Sequence, residues 1–339
     1  MSVPTSSATL FHMGGKLYNL SRMPRADYLE RELELRRFLD LRLEVRYRIP
    51  RFYGDKPDFG DMDVLVQSQP GWGERQLELM RELDVSEFRT AGHVFSVVYR
   101  GLQTDFFAVP ERYLESTYSV MCFGDLGNLL GRMVRRFDLK YGEHGLSYVY
   151  RREEGHYQSD LELTQDFQRI CEFLGLEYAR WAIGFDTLES LFEWTVTSPY
   201  FSVVPYLDDL SGTLEKRVKE RPGLQKFVSW LQERGISQRP HFGERQSYLG
   251  MVAAAFPEAW LEEQIALERQ KEVQARDFAA KFSSNLVMRL LPELEGRALG
   301  AFIVALKASV PHFQNFVLET DQNALERYIL EFYQRIQPS

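Results

Sequence analysis

The chain has 339 residues, 44% hydrophobic and 27% charged, with 24 Phe and 17 Tyr, which is ample core material for a globular protein of two domains. No stretch approaches the roughly 18 consecutive apolar residues of a membrane span. The small, polar opening Met1–Thr9 lacks the basic start and apolar block of a secretory signal, so a cytoplasmic protein without a membrane partner is expected.

Cys122 and Cys171 stand apart, without the spacing of a disulfide framework or a zinc site, and are expected to be buried free thiols. The net charge of −8 is unevenly spread: 22 Lys and Arg face 23 Asp and Glu up to Glu154, and 19 face 26 from Gly155 onward. Overall acidity argues against tight, non-specific binding to duplex nucleic acid.

In chain order, Pro24–Leu41 has helical spacing of Tyr28, Leu29, Leu33, Leu35 and Leu39. Leu43–Ile49 alternates apolar with charged residues and predicts a strand. Tyr53-Gly54-Asp55-Lys56-Pro57 predicts a turn, Met62–Val66 a strand and Arg75–Leu83 a short helix. Val94–Tyr99 and Thr104–Val109 predict two strands about the turn Arg100-Gly101-Leu102-Gln103. From Pro110 the pattern is largely helical, with candidates at Leu161–Phe173, Leu188–Thr195, Leu224–Arg234, Ala259–Phe282, Ala298–Ala308 and Ala324–Ile336.

The densest chemical signal is Phe59-Gly60-Asp61-Met62-Asp63-Val64-Leu65-Val66. Side chains two apart on a strand share a face, so Asp61 and Asp63 project together where an apolar run begins. Two like charges held so close are costly unless a cation lies between them. Asp105 is a lone carboxylate in the apolar strand Thr104-Asp105-Phe106-Phe107-Ala108-Val109-Pro110, where an unpaired charge also needs a partner. Three carboxylates on adjacent strands suit divalent cations and phosphoryl chemistry. The structural alternative is a turn flanked by two aspartates and an unrelated strand-end residue.

Arginines cluster at Arg36, Arg37, Arg42, Arg46, Arg48 and Arg51, and again at Arg132, Arg135 and Arg136 with Lys140. A basic rim around an acidic site suits a polyanionic substrate, although each arginine alone is compatible with a solvated helix face. The six histidines are dispersed and form neither a zinc spacing nor an HExxH motif. No GxSxG and no kinase motif set occurs.

At these residues the chain resembles the nucleotidyltransferase superfamily typified by DNA polymerase β, poly(A) polymerases and CCA-adding enzymes. Gly60-Asp61-Met62-Asp63-Val64-Leu65 is similar to that family's Gly-Asp-x-Asp strand, and Thr104–Pro110 to its third-carboxylate strand. The resemblance implies an α+β fold: an N-terminal nucleotidyltransferase-type mixed sheet with flanking helices, then a mostly helical C-terminal domain. Residues 1–155 would form the palm-like catalytic domain and residues 156–339 an acceptor-binding or structural one. It also implies two Mg²⁺ (or Mn²⁺) ions, with Asp61 and Asp63 binding both and Asp105 the catalytic one, and a nucleoside triphosphate such as ATP as donor.

Phe123–Arg132 is similar to the nucleotide-selecting segment of the β-like DNA polymerases, where Asn128 and Arg132, four apart on one helix face, would meet the base pair. Lys140–Leu146 resembles the turn into a closing strand of that family, and Lys281–Ile303 has a faint likeness to the tail helices of CCA-adding enzymes. The chain departs from the family at Arg48-Ile49-Pro50-Arg51-Phe52, where Gly-Ser usually lets backbone amides approach the triphosphate. Gly14, Gly15 and Lys16 are an upstream substitute, without Walker spacing, and Arg48, Arg51 and Lys56 could supply contacts from side chains.

The leading expectation is nucleotidyl transfer to a polynucleotide 3′ hydroxyl, RNA favoured over DNA. The alternatives are a template-directed repair polymerase, nucleotidylation of a protein or small molecule, and a non-catalytic binding relative.

Overall fold

Residues 18–85, 87–152, 155–207 and 221–337 are described in the computed structural model, so Gly14, Gly15 and Lys16 lie outside the described residues. The chain divides into two compact units, Met1–Ala259 and Trp260–Ser339. The first contains β1 (Met23–Pro24), α1 (Arg25–Arg42), β2 (Tyr47–Arg48), β3 (Asp58–Phe59), β4 (Asp61–Gln67), α2 (Trp72–Glu82), β5 (Phe88–Ala91), β6 (Val94–Tyr99) and β7 (Leu102–Val109). There follow α3 (Leu114–Met121), α4 (Leu126–Val134), β8 (Leu139–Gly142), β9 (Gly145–Arg151), β10 (Tyr157–Thr164), α5 (Phe167–Leu174), α6 (Tyr178–Ile183), α7 (Leu188–Val196), α8 (Val204–Leu207), α9 (Pro222–Glu233) and α10 (Leu249–Ala255).

Five strands form a mixed sheet in the order β2-β4-β7-β6-β5. β4 and β7 run parallel, and every other neighbouring pair in that sheet is antiparallel. The β6–β7 hairpin closes through Arg100 and Gly101, both at positive φ (47° and 83°), the backbone demanded by a two-residue loop that follows strand twist. One sheet face carries Met62, Val64, Val66, Phe95, Val97 and Phe106, which join Tyr28, Leu35 and Leu39 of α1 and Met80 of α2 in one buried cluster. On the other face Leu65, Val94 and Phe107 pack with Val109, Tyr113 and Leu114. The alternation of β4 thus gives both faces an apolar section, and the carboxylates occupy what is left of the second face.

The fold class is the expected one: an N-terminal mixed sheet with flanking helices and a helical C-terminal region. Three local expectations change. Leu43–Ile49 contributes only the two-residue strand Tyr47–Arg48. The helix expected over Leu161–Phe173 begins at Phe167, because Leu161 and Leu163 alternate with Asp160 and Glu162 and finish strand β10. That strand completes an antiparallel sheet in the order β10-β9-β8. The compact division falls at 259–260, later than the expected 155–156, a position that would cut between the paired strands β9 and β10.

The second unit is helical: α11 (Leu261–Lys281), α12 (Ser284–Leu290), α13 (Gly296–Ala308), α14 (Phe313–Glu319) and α15 (Gln322–Ile336). Its own core gathers Phe282, Val287, Phe302, Leu306, Val317, Leu325 and Ile329. Ser283 and Asp321 cap α12 and α15 by accepting from the amides of Leu286 and Ala324. Lys281 donates to the carbonyls of Leu318 (2.6 Å) and Thr320 (3.0 Å), tying the end of α11 to that of α14. Among the described residues no single helix is long and apolar enough to cross a membrane.

The turn before β4 is fixed from a distance. The amides of Gly54 and Asp55 donate to the carbonyls of Phe185 (2.8 Å) and Asp186 (2.7 Å), and the Asp55 carboxylate accepts from the amide of Leu188 (3.2 Å) at the start of α7. A Cβ on Gly54 would lie 2.6 Å from the Asp186 carbonyl oxygen. Gly54→Ala is therefore expected to destabilise the first unit by about 1–3 kcal/mol. Gly73→Ala, in open space within α2, is expected to be neutral or stabilising by up to about 1 kcal/mol. Urea unfolding of the two variants beside the parent checks both, and equal midpoints would show that the 54–186 approach is not fixed.

Candidate metal centre

The parallel pairing sets β4 against β7 so that Asp63 lies opposite Asp105, and Asp61 opposite Gln103. Across the hairpin Asp105 faces Ser96. These residues share one face with Leu65, Phe107 and Val94, so the second face passes in order from a covered apolar row to the row Asp63–Asp105–Ser96 and then to Asp61–Gln103. Residues opposite one another in paired strands point the same way, which makes this crowding a consequence of register.

Among the described residues, Asp61, Asp63 and Asp105 bring one ligand oxygen each within 4.8 Å of one another. Asp61 and Asp63 are half-buried, whereas Asp105 is 1% exposed. Burial pushes the Asp63 carboxyl well above the usual range, and the charges of Asp61 and Asp105 push it the same way while Lys56 opposes them. Burial also pushes Asp105 up to about 6, partly offset by Ser96 and Gln103. The Gln103 side-chain amide donates to both Asp105 oxygens, at 3.2 and 2.9 Å. A donor set of three converging carboxylates, two of them, Asp63 and Asp105, raised in pKa chiefly by burial, fits a hard divalent cation, whose charge offsets their mutual repulsion.

The expected triphosphate cations are dispersed. Lys56 is half-buried, with its ammonium 4.2 Å from the centre of the Phe59 ring. Burial lowers its pKa, while Asp61, Asp63 and Asp58 hold it up, so its charge is felt at the carboxylate pair. It lines a pocket of about 420 Å³ with Phe52, Tyr53, Asp125 and Lys226. Arg48 instead pairs with Glu115 of α3 at 2.8 Å, which Arg46 shares at 2.5 Å. Arg51 donates to the carbonyls of Trp181 (2.9 Å) and Ala182 (2.7 Å), and its guanidinium lies 4.5 and 4.9 Å from the rings of Trp181 and Phe123. Its donors serve the end of α6, a role written 130 residues away and absent from any local motif. The spent amides of Gly54 and Asp55 likewise serve 185–186.

Asn128 and Arg132 do lie along one wall, that of a cleft of about 460 Å³ which the three aspartates do not line. Asn128 donates to Asp125 at 3.2 Å, and Arg132 donates to the Pro205 carbonyl at 3.2 Å while lying 5.5 Å from the Tyr206 ring. Sequence reasoning missed Gln103 and Ser96. Gln103 was legible in principle, two residues before Asp105 and hence on its face; Ser96 needed the hairpin register.

No family model matches the chain, and no curated protein matches it. Among solved structures the chain is similar to the ternary gap complex of Leishmania infantum polymerase beta, with 14% identity over 47% of this chain and 69% of that one, at a TM-score of 0.37. A likeness of that degree says nothing of this chain's substrates, and the chemistry here is drawn from the carboxylates themselves.

The raised carboxyl of Asp105 has a consequence for stability without metal. Its folded pKa, about 6, exceeds the unfolded value of about 3.9, so the folded state holds a proton that the unfolded chain has released. The stabilisation is complete below pH ~4 and is lost as pH rises through ~6, about 3 kcal/mol for a shift of two units. In chelator-treated protein, Asp105→Asn is expected to raise the melting temperature at pH 7.5 and leave it unchanged at pH 4. Mn²⁺ or Mg²⁺ should raise it in the parent but not in Asp105→Asn or Asp63→Asn. An ion-induced rise of equal size in all three would place the ion elsewhere.

Proposed function

We propose that this chain is a metal-dependent nucleotidyltransferase, moving a nucleoside monophosphate from a nucleoside triphosphate to an acceptor hydroxyl. The observation that carries this is the convergence of Asp61, Asp63 and Asp105 within 4.8 Å, from two parallel strands and on one face. Two Mg²⁺ or Mn²⁺ ions held there would supply an acidified acceptor hydroxyl and charge neutralisation at the leaving pyrophosphate.

Asp61 and Asp63, paired on β4, would hold the ions that neutralise the triphosphate, and Asp105 on β7 would join them as ligand to the ion that acidifies the acceptor hydroxyl. With an ion bound, Asp105 would be ionised and able to accept the hydroxyl proton. Gln103 fixes the carboxyl orientation through both oxygens. Lys56 supplies positive charge on the triphosphate side, in place of the glycine-rich backbone cradle. The acceptor favoured is a polynucleotide 3′ end, RNA rather than DNA, because the net charge of −8 disfavours a general duplex grip.

The test is transfer of label from each α-labelled NTP or dNTP, with Mg²⁺ or Mn²⁺, to RNA, primed DNA or protein. The parent is expected to label RNA ends without a template, and Asp63→Ala and Asp105→Ala to lose transfer by on the order of 10³-fold. Folding of both variants is verified by their unfolding profiles. Equal labelling by Asp63→Ala would remove the metal site from the mechanism, and strict template dependence would make the chain a gap-filling polymerase instead.

A further inference from the structure

Gln103 precedes Asp105 by two residues on β7, so the alternation of a strand puts both side chains on the carboxylate face. Its side-chain nitrogen donates to both Asp105 oxygens, at 3.2 and 2.9 Å. A donor that close to both oxygens of one carboxylate, with each accepting, lies at the mouth between them. The same mouth is where an ion gripped by both oxygens has to stand.

The amide is held in that position. Gln103 is 0% exposed and Asp105 1% exposed, and the register sets Gln103 between Asp61 on β4 and Val98 on β6. Only the nitrogen end of a glutamine amide can face an anion, because its other end is a carbonyl oxygen. Turning the amide away would leave the buried Asp105 carboxylate short of this donor.

A filled mouth bears on ion choice. Ca²⁺ takes about six to eight oxygens at ~2.3–2.6 Å, in flexible arrangements that include carboxylates bound through both oxygens. Mg²⁺ binds at about 2.0–2.1 Å and demands near-ideal octahedral angles, which the narrow bite of a single carboxylate does not meet. With its mouth occupied, Asp105 still offers the outward side of each oxygen, and one oxygen from each of Asp61, Asp63 and Asp105 already lies within 4.8 Å of the others. We infer that Gln103 is a specificity-determining residue: by filling the mouth of Asp105 it limits that carboxylate to one oxygen per ion, and so selects Mg²⁺ or Mn²⁺ against Ca²⁺. The inference rests on the metal-centre reading of the three aspartates, and not on the acceptor or on transfer itself.

Competition between ions in the chelator-treated full chain, without nucleotide, tests this. Free Mn²⁺ is read from its electron paramagnetic resonance signal as Ca²⁺ is added. In the parent, the dissociation constant for Ca²⁺ is expected to exceed that for Mn²⁺ by at least about tenfold. In Gln103→Ala, which opens the mouth, the ratio of the two constants is expected to fall at least about fivefold, chiefly through tighter Ca²⁺ binding. Gln103→Ser is the second variant should the first fail to fold, and unfolding profiles check each. Ser96→Ala removes a buried hydroxyl across from Asp105 and leaves Gln103 in place, so it is expected to keep the parent ratio. A parent that binds Ca²⁺ as tightly as Mn²⁺ overturns the inference. So does an unchanged ratio in the Gln103 variant, or an equal fall in Ser96→Ala. A parent that binds neither ion removes the metal centre and this inference with it. The expected ratios without transfer of label to any acceptor would overturn the nucleotidyl-transfer assignment and leave the role of Gln103 standing.

Discussion

The parallel register between β4 and β7 is the constraint on which the site depends. It is locked from the far side of the sheet, where Met62, Val64, Val66 and Phe106 join Leu35 and Leu39 of α1 in a single buried cluster. A one-residue slip of β4 would turn Met62, Val64 and Val66 outward and drive Asp61 and Asp63 into that cluster. The apolar face therefore forces the carboxylates together on the other face, and hydrophobic burial supplies the free energy that holds three like charges in one place. The raised pKa values of Asp63 and Asp105 are the electrostatic record of that constraint.

The same sheet grades the second face. Leu65, Phe107 and Val94 are covered by Tyr113 and Leu114, and burial continues along β6 and β7 through Ser96, Asp105 and Gln103, so exposure begins only on β4. Asp105 stays almost wholly buried, and Asp61 and Asp63 are only partly so. An ion bound there would meet carboxylate oxygens from the buried side of the site.

Much of this was legible in the sequence, for identifiable reasons. The two-residue spacing of Asp61 and Asp63 ahead of an apolar run, and the lone Asp105 among Phe106, Phe107 and Val109, are period-2 signals that survive without tertiary information. Helix α1 was legible because its core contacts repeat at helical spacing. Strand β10 was not, because Leu161 and Leu163 fit the start of a helix as well as a short strand, and pairing with β9 decides between them. Arg51 looked like a phosphate ligand because a local motif shows only its charge; the carbonyls of Trp181 and Ala182 that it serves lie 130 and 131 residues away. The unit boundary was hidden for the same reason.

Those distant contacts also hold the turn before β4. In the turn 53–57 Gly54 and Asp55 donate to Phe185 and Asp186, and Asp55 accepts from the start of α7. The helices after β10 thereby act as a brace for the turn that carries Lys56, and Arg51 braces the same region through α6. A lysine is a flexible point charge, and its field at Asp61 and Asp63 is reproducible only if its backbone is held. The contacts of Arg51, Gly54 and Asp55 with residues 181–188 tie the helices after β10 into the same compact unit as the carboxylates.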